Sequence, residues 1–456
     1  MPLLKHQRNR LIVLVAGLVL GGVAFLIWLG VLPGLRDETP VGPIGPSPFT
    51  LEVWNVFEEE EVYSEFIREF GAINPHIKIN YTKINYLEYR QRLTDAFANG
   101  TAPDIFAMHS SWLPLHEHRI YPAPATLSTV TEFDQIYPPV VAFDFTRDTE
   151  TGQKVVYAFP LFIETLGIFY NKDYFETANI SSPPKTWEEL LDYAKVFTQF
   201  DDAGEIRISG IPLGTADNIN RSTDIVTLLM LQSGTRMNNK LLTEATFDES
   251  VSVGEGEEEQ RFYPGKEALD FYLAFSDPTR SVYSWNDEMS YSIDAFVEGK
   301  AAMMISYPHL IPTIMSKAPH LNLGVAAVPQ LKGRKEDVNY ANYWGFTVSK
   351  GSRNGDAAWE FIEFLVQPEN VKRYLEDSRL PTARRDLILW QQQDSQLKHF
   401  ANQIMAARSW YQGDSFAVES ILSDMITSAE TGELTVEEAL EDASTRVTVT
   451  IKKVQE

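Results

Sequence analysis

Apolar and polar residues alternate along "TLEVWNVF" (Thr50–Phe57), with Leu51, Val53 and Val56 as anchors, and this period of two predicts a strand. The period then lengthens. In "EEEEVYSEFIREFG", Val62, Phe66 and Phe70 fall at i, i+4 and i+8 with Tyr63 and Ile67 beside them, which predicts an amphipathic helix stopped by Gly71. "HIKINYTK" alternates again through Ile77, Ile79 and Tyr81. Tyr86 to Asn99 reads as a second helix, with Leu93, Ala96 and Phe97 on one side and Asn99-Gly100 as its stop, and "DIFAM" follows as a short apolar strand. The order strand, helix, strand, helix, strand predicts an α/β fold with a parallel sheet and helices on its faces.

The later chain keeps this grammar. Thr186 to Glu189 forms a capping box before Leu190, Leu191, Ala194 and Phe197. Ala358, Phe361, Ile362 and Leu365 mark a helix ending near Pro368, and Thr435 to Glu438 is a second capping box for the C-terminal helix. In "AFVEGKAAMMIS" (Ala295–Ser306), Ile293, Phe296 and Val297 give a helix its buried side. Gly299 supplies the left-handed residue that ends it, and Ala301 to Ile305 enters a sheet as a central strand. Gly299-Lys300 lacks a glycine-rich loop before it and a Ser or Thr after it, so it is architecture, with Lys300 facing solvent or the last helix carbonyls.

The N-terminus follows a different pattern. Lys5, Arg8 and Arg10 precede a 22-residue apolar run, Leu11 to Leu32, without a small-x-small cleavage site after it. A span needs about 20 such residues, so residues 1–32 are expected to be a cytoplasmic basic end and one transmembrane anchor, with the rest outside the cell. Residues 33–48 hold five prolines, with Gly34, Gly42 and Gly45, and read as a spacer.

Composition narrows the chemistry. A formal charge of −24 over 456 residues disfavours nucleic acid. The acidic runs Glu58–Glu61 and Glu255–Glu259 read as a solvated helix start and a solvated loop. There is no cysteine, which removes disulfides, thiolate zinc sites, catalytic thiols and a lipid-modified N-terminal cysteine. No Gly-x-Ser-x-Gly, His-Glu-x-x-His or P-loop is present, and "DDAGEIRISG" near Asp201 reads as a β-turn rather than a calcium loop. No metal, cofactor or catalytic residue is expected.

Ligands of open α/β sheets sit beyond the carboxyl ends of the strands. The first strand ends at Trp54-Asn55 and the third at "HSSW", His109 to Trp112. Trp285, Trp344 and Trp410 also lie in polar, turn-like surroundings. A flat ring to stack on a sugar's C–H face, beside amides and hydroxyls for its hydroxyl groups, is what a carbohydrate asks for.

Spread over nearly all of Phe49 to Glu456 are "PDIFAM", "VYAFPLFIETLGIFYNKDYF", "PKTWEELLDYAKVF", "FVEGKAAMMIS", "GVAAVPQLKG", "YWGFTVSKGS", "AAWEFIEFLV" and "TVEEALEDA". In order and spacing they resemble the extracellular solute-binding proteins of ABC importers, in the carbohydrate-binding family that includes maltodextrin-binding proteins. The resemblance implies two α/β lobes joined by a hinge, with crossings near Ile163-Glu164, Tyr343-Trp344 and Arg384. Lobe 1 would be 49–163 plus 343–388, and lobe 2 would be 164–342 plus 389–456. It implies cleft positions at Trp54, Asn55, Ser111, Trp112, Glu164, Trp285, Tyr307, Tyr343, Trp344 and Trp410, with Trp410 standing where maltodextrin binders carry a stacking aromatic. Tyr307 departs from the Gly or Trp of many relatives, and the anchor departs from their cleaved or lipidated form. The implied partners are a carbohydrate solute, the permease subunits of an ABC transporter and the membrane, with the chain a monomer. A receptor that presents its ligand to a membrane sensor, and a carbohydrate-active enzyme, stay open as alternatives.

Overall fold

A computed structural model describes residues 17, 19–23, 25–26, 47–149, 151–253 and 260–455. The chain divides into Met1–Pro48 and Phe49–Glu456. In the first unit the described positions from 17 to 26 are helical; the rest of the expected anchor Leu11–Leu32, and all of the spacer except Ser47 and Pro48, lie outside the described residues. So does the acidic run Glu255–Glu259. Among the described residues no helix is long and apolar enough to cross a membrane.

In the second unit, Leu51, Val53 and Asn55 are buried along the strand Phe49–Asn55 while their neighbours are half or fully exposed. The helix Glu60–Ile73 buries Tyr63, Phe66 and Phe70. It runs through Gly71 and stops at Asn74, whose N–H bonds the Phe70 carbonyl at 2.8 Å. The stop comes from Pro75, which pushes the residue before it out of helical geometry, and not from Gly71. Helix Tyr86–Asn99 ends on Gly100 at φ 68°. Strands Phe49–Asn55, Ile77–Lys83 and Ile105–His109 are parallel. Trp344–Ser349 then joins Ile105–His109 antiparallel, and Ile120–Tyr121 closes the edge of this five-stranded sheet. A strand arriving from more than two hundred residues away carried no local signal of its direction.

The second sheet has three strands, with Gly167–Asn171 between Met303–Ser306 and Leu323–Ala327, both antiparallel to it. Gly299 ends the preceding helix at φ 72°, and Lys300 pairs with Glu298 at 2.8 Å. Met303–Ser306 is buried throughout but flanks this ladder instead of occupying its centre. Its other side is covered by irregular chain, where the Met303 N–H bonds the Gly210 carbonyl at 3.1 Å. Thr435 and Glu438 form a complete capping box on helix Val436–Gln455. At Thr186 only half of the box forms, because the Glu189 carboxylate takes the Lys185 N–H instead. Asp201 closes the turn of a short hairpin by accepting the N–H groups of Ala203 and Glu205.

Two hydrophobic cores result. One gathers residues from Leu51 to Ile163 and from Ala341 to Leu387, together with Ile404 and Ala407. The other gathers Leu166 to Val328, Tyr340, Leu397, Phe400 and Trp410 to Ile451. Between them runs a sheet of three short strands, in which Asn339–Asn342 pairs with Glu164–Thr165 on one side and Ala407–Arg408 on the other.

Candidate functional site

Where the two cores meet, a cavity of about 350 Å³ opens. Its first wall grows from the carboxyl ends of the five-stranded sheet. Trp344 opens its strand and Trp112 follows the Ile105–His109 strand, and their rings meet edge to face at 4.9 Å. Tyr89 backs both rings, and its hydroxyl is fixed on the Ala107 carbonyl at 2.7 Å. Phe57, 45% exposed, meets Trp344 edge-on at 5.5 Å and stacks on Tyr86 at 6.1 Å. Packed rings lock one another's rotamers, so this wall is a preformed apolar face.

The opposite wall is polar. Arg221 sits at φ 64°, a strained conformation for a non-glycine residue, directly before helix Ser222–Ser233. Its guanidinium donates to Asp224 at 2.7 Å, lies 5.5 Å over the Tyr307 ring and comes within 3.8 Å of Glu419. The Tyr307 hydroxyl donates to the same Asp224 oxygen at 2.8 Å. Asn220, Thr223 and Thr227 complete this side.

The joint strands supply the floor. Glu164 accepts the His309 backbone N–H at 2.9 Å and faces the ring Nδ1 at 2.9 Å. Burial alone would lower the His309 pKa, but the Glu164 carboxylate outweighs it and holds the imidazole above its ordinary value. His109 behaves in the opposite way. Burial pushes it down to about 4, and its Nε2 faces the Asn342 amide oxygen at 3.0 Å. Its Nδ1 meets Ser111 Oγ at 2.8 Å, yet a base that weak is poorly matched to activating a hydroxyl near neutral pH. Glu58 accepts from Asn55 at 2.9 Å and from the Tyr374 hydroxyl, and burial raises its pKa. Among the described residues, no group of three or more His, Cys, Asp or Glu could hold a metal ion.

Both halves also touch beside the cavity. Arg90 pairs with Asp414, the Trp112 indole N–H donates to Ser415 at 3.1 Å, and Phe416 lies 5.9 Å from Tyr86 with the Arg90 guanidinium over its ring.

Of the ten positions expected from sequence, Trp112, Glu164 and Trp344 line the cavity. Asn55 stands one shell away and holds Glu58. Ser111 likewise fixes His109. Tyr307 is buried behind Arg221 and Asp224. Four others stand off this cavity. Trp54 alternates to the other face of its strand, where the Arg92 guanidinium covers it. Tyr343, next to Trp344, points away from the cavity and donates to Asp144. Trp285 is fully buried, with its indole N–H on Asn218 at 2.9 Å. Trp410 is 5% exposed and packs on Phe247 inside the second core. The expectation of a solvated Glu58–Glu61 run fails at Glu58, which lines the cavity. Sequence reasoning missed Phe57, Tyr86 and Phe416. The last two sit in the first turns of helices capped by Asn85 and Asp414, a usable signal for ring placement at a cleft. Arg221, Asp224, His309 and Glu419 carried no signal.

The family described as bacterial extracellular solute-binding protein matches residues 57–372. A protein of Brucella abortus (strain 2308) described as a binding protein is 26% identical over 67% of this chain and 69% of its own. The sn-glycerol-3-phosphate-binding periplasmic protein UgpB of Escherichia coli (strain K12) is 22% identical over 87% of this chain and 91% of its own. Among solved structures, the cyclic alpha-maltosyl-1,6-maltose binding protein of Arthrobacter globiformis superposes with a TM-score of 0.72 at 18% identity, covering 89% of this chain and 100% of that one.

Proposed function

Because the chain belongs to the bacterial extracellular solute-binding protein family, we propose that it captures a saccharide in the cavity between its two lobes and hands it to the permease of an ABC importer. The observation that carries this reading is the pairing of a preformed ring wall with a hydrogen-bonding wall across one cavity. Stacked rings take the C–H face of a pyranose, and Asn220, Asp224, Glu164 and Gln412 offer partners to its hydroxyls. The described solute of the Arthrobacter globiformis neighbour is of this class. A phosphate ester such as that of the Escherichia coli relative fits less well. The arginine of the lining is already committed to Asp224, and a phosphate needs free cationic donors.

Lobe 1 is assigned to 49–163 plus 343–388 and lobe 2 to 164–342 plus 389–456, which follows the two cores except at Ala341, Ile404 and Ala407, members of the first core. Leu11–Leu32 is assigned as a membrane anchor, with Lys5, Arg8 and Arg10 on the cytoplasmic side, and the folded part works outside the cell as a monomer without catalysis. Closure follows from a solute that touches both walls and so favours the state in which they face each other. Thermal shift across a saccharide panel tests the binding, since a ligand of the native state alone raises Tm. Small-angle scattering should show compaction at saturation. A panel without any shift would sink the reading.

A further inference from the structure

The charges lining the cavity do not balance. Glu58, Glu164, Asp224 and Glu419 face it, against Arg221 and His309. Arg221 is engaged by Asp224 and His309 by Glu164. Arg90, at the margin, is spent on Asp414. That leaves two carboxylates. Glu58 has no Lys or Arg partner among the described residues; its hydrogen bonds come from the neutral donors Asn55 and Tyr374. Glu419 has only a 3.8 Å approach to a guanidinium already held more closely by Asp224. A cation offsets the desolvation of a carboxylate such as Glu58 more fully than a neutral hydroxyl does.

The rings point the same way. The Arg90 guanidinium lies over Phe416, so one aromatic face of the lining already receives a cation. Burial also raises the pKa of Glu58, as expected of a carboxylate that lacks a facing cation, while Glu419 stands at the exposed margin of the cavity. The overall charge of −24 concentrates cations near the protein and repels anions.

We propose that the solute is a cationic saccharide, a sugar bearing a protonated amino group, with Glu58 and Glu419 receiving the ammonium while the ring wall takes the pyranose face. This deepens the saccharide-binding reading above and rests on it.

Calorimetric titration of the full chain at pH 7 tests it with matched sugars: glucose, cellobiose and maltose, their 2-amino counterparts, and the N-acetylated forms of those amines. Ring and linkage are then constant while charge varies. The amine should bind about ten-fold more tightly than both neutral partners, the gain expected when a neutral hydrogen bond becomes charge-assisted. Raising NaCl from 50 to 500 mM should narrow that gap. Glu419→Gln, at an exposed position, should shrink it to about three-fold, and Glu58→Gln, isosteric but with its amide nitrogen replacing one of the two accepting oxygens, should act likewise once its Tm shows that it folds. Neutral sugars binding as tightly as the amines would overturn the cationic assignment and leave saccharide capture standing. A gap unchanged in both variants would overturn the role of these carboxylates. Silence from the whole panel, charged and neutral, would overturn both readings.

Discussion

Across the cavity from Phe57, Tyr86, Trp112 and Trp344 stand Asn220, Arg221, Thr223 and Asp224, and the two sets are held in place by different forces. The rings are fixed by one another and by Tyr89 beneath them, so their positions follow from packing. The polar side is fixed by a strained backbone at Arg221 and by hydrogen bonds that converge on Asp224. Packing yields a surface tolerant of any flat apolar face. A directed network yields a surface that distinguishes one hydroxyl pattern from another. Affinity should therefore reside mainly on one side and selectivity on the other.

The largest test concerns Trp410, which the family resemblance places at the ligand and the structure places inside the core of the polar half. Trp410→Ala should cost roughly 3–5 kcal/mol of stability by leaving a cavity. Saccharide affinity, read well below the lowered Tm, should stay within about two-fold. A selective loss of binding in a well-folded variant would return Trp410 to the site and break the contrast between the walls.

Next comes the hidden acid behind the aromatic wall. Asp144 accepts from Ser409 at 2.6 Å and from the Tyr343 hydroxyl, and burial pushes its pKa up to about 7. A carboxyl whose folded pKa exceeds its unfolded value binds its proton more tightly in the native state. Stability therefore falls as pH rises from about 4 to about 7. Asp144→Asn removes that titration and should stabilise the protein at pH 8 by on the order of 2–4 kcal/mol, with the advantage fading towards pH 4. Chemical denaturation at both pH values reads this directly.

Phe57→Ala separates the walls more finely. The ring is half-exposed, so Tm should hardly move, while affinity for every bound sugar should fall about ten-fold without re-ranking them. Asn220→Ala should instead re-rank epimers. The smallest effect belongs to Arg90→Ala, which breaks the pairing with Asp414 beside the cavity. About three-fold weaker binding is expected, with most of the change in the dissociation rate.

Much of the fold was legible because local periodicity sets it. The alternation at Leu51 and Val53, the spacing of Phe66 and Phe70 and the stop at Gly100 each act within a few residues. The same periodicity misled at the site. Trp54 and Trp344 both sit at strand ends in polar text, yet only one of two alternating faces meets the cavity, and which one depends on strands distant in sequence. Trp112, Glu164 and Trp344 were accessible because they adjoin strand ends or the joint. Arg221 and Glu419 are brought together by the packing of two helices almost two hundred residues apart, a proximity that no local pattern encodes.

The contact of Ser415 and Phe416 with Trp112 and Tyr86 joins the two halves directly beside the cavity. For the proposed closure it would act as a clasp that offsets part of the cost of shutting. In the proposed solute-capturing role, less of the binding energy would then be diverted to rearrangement. A stronger clasp would also raise the share of shut molecules without solute, which would compete with loaded ones for the proposed permease.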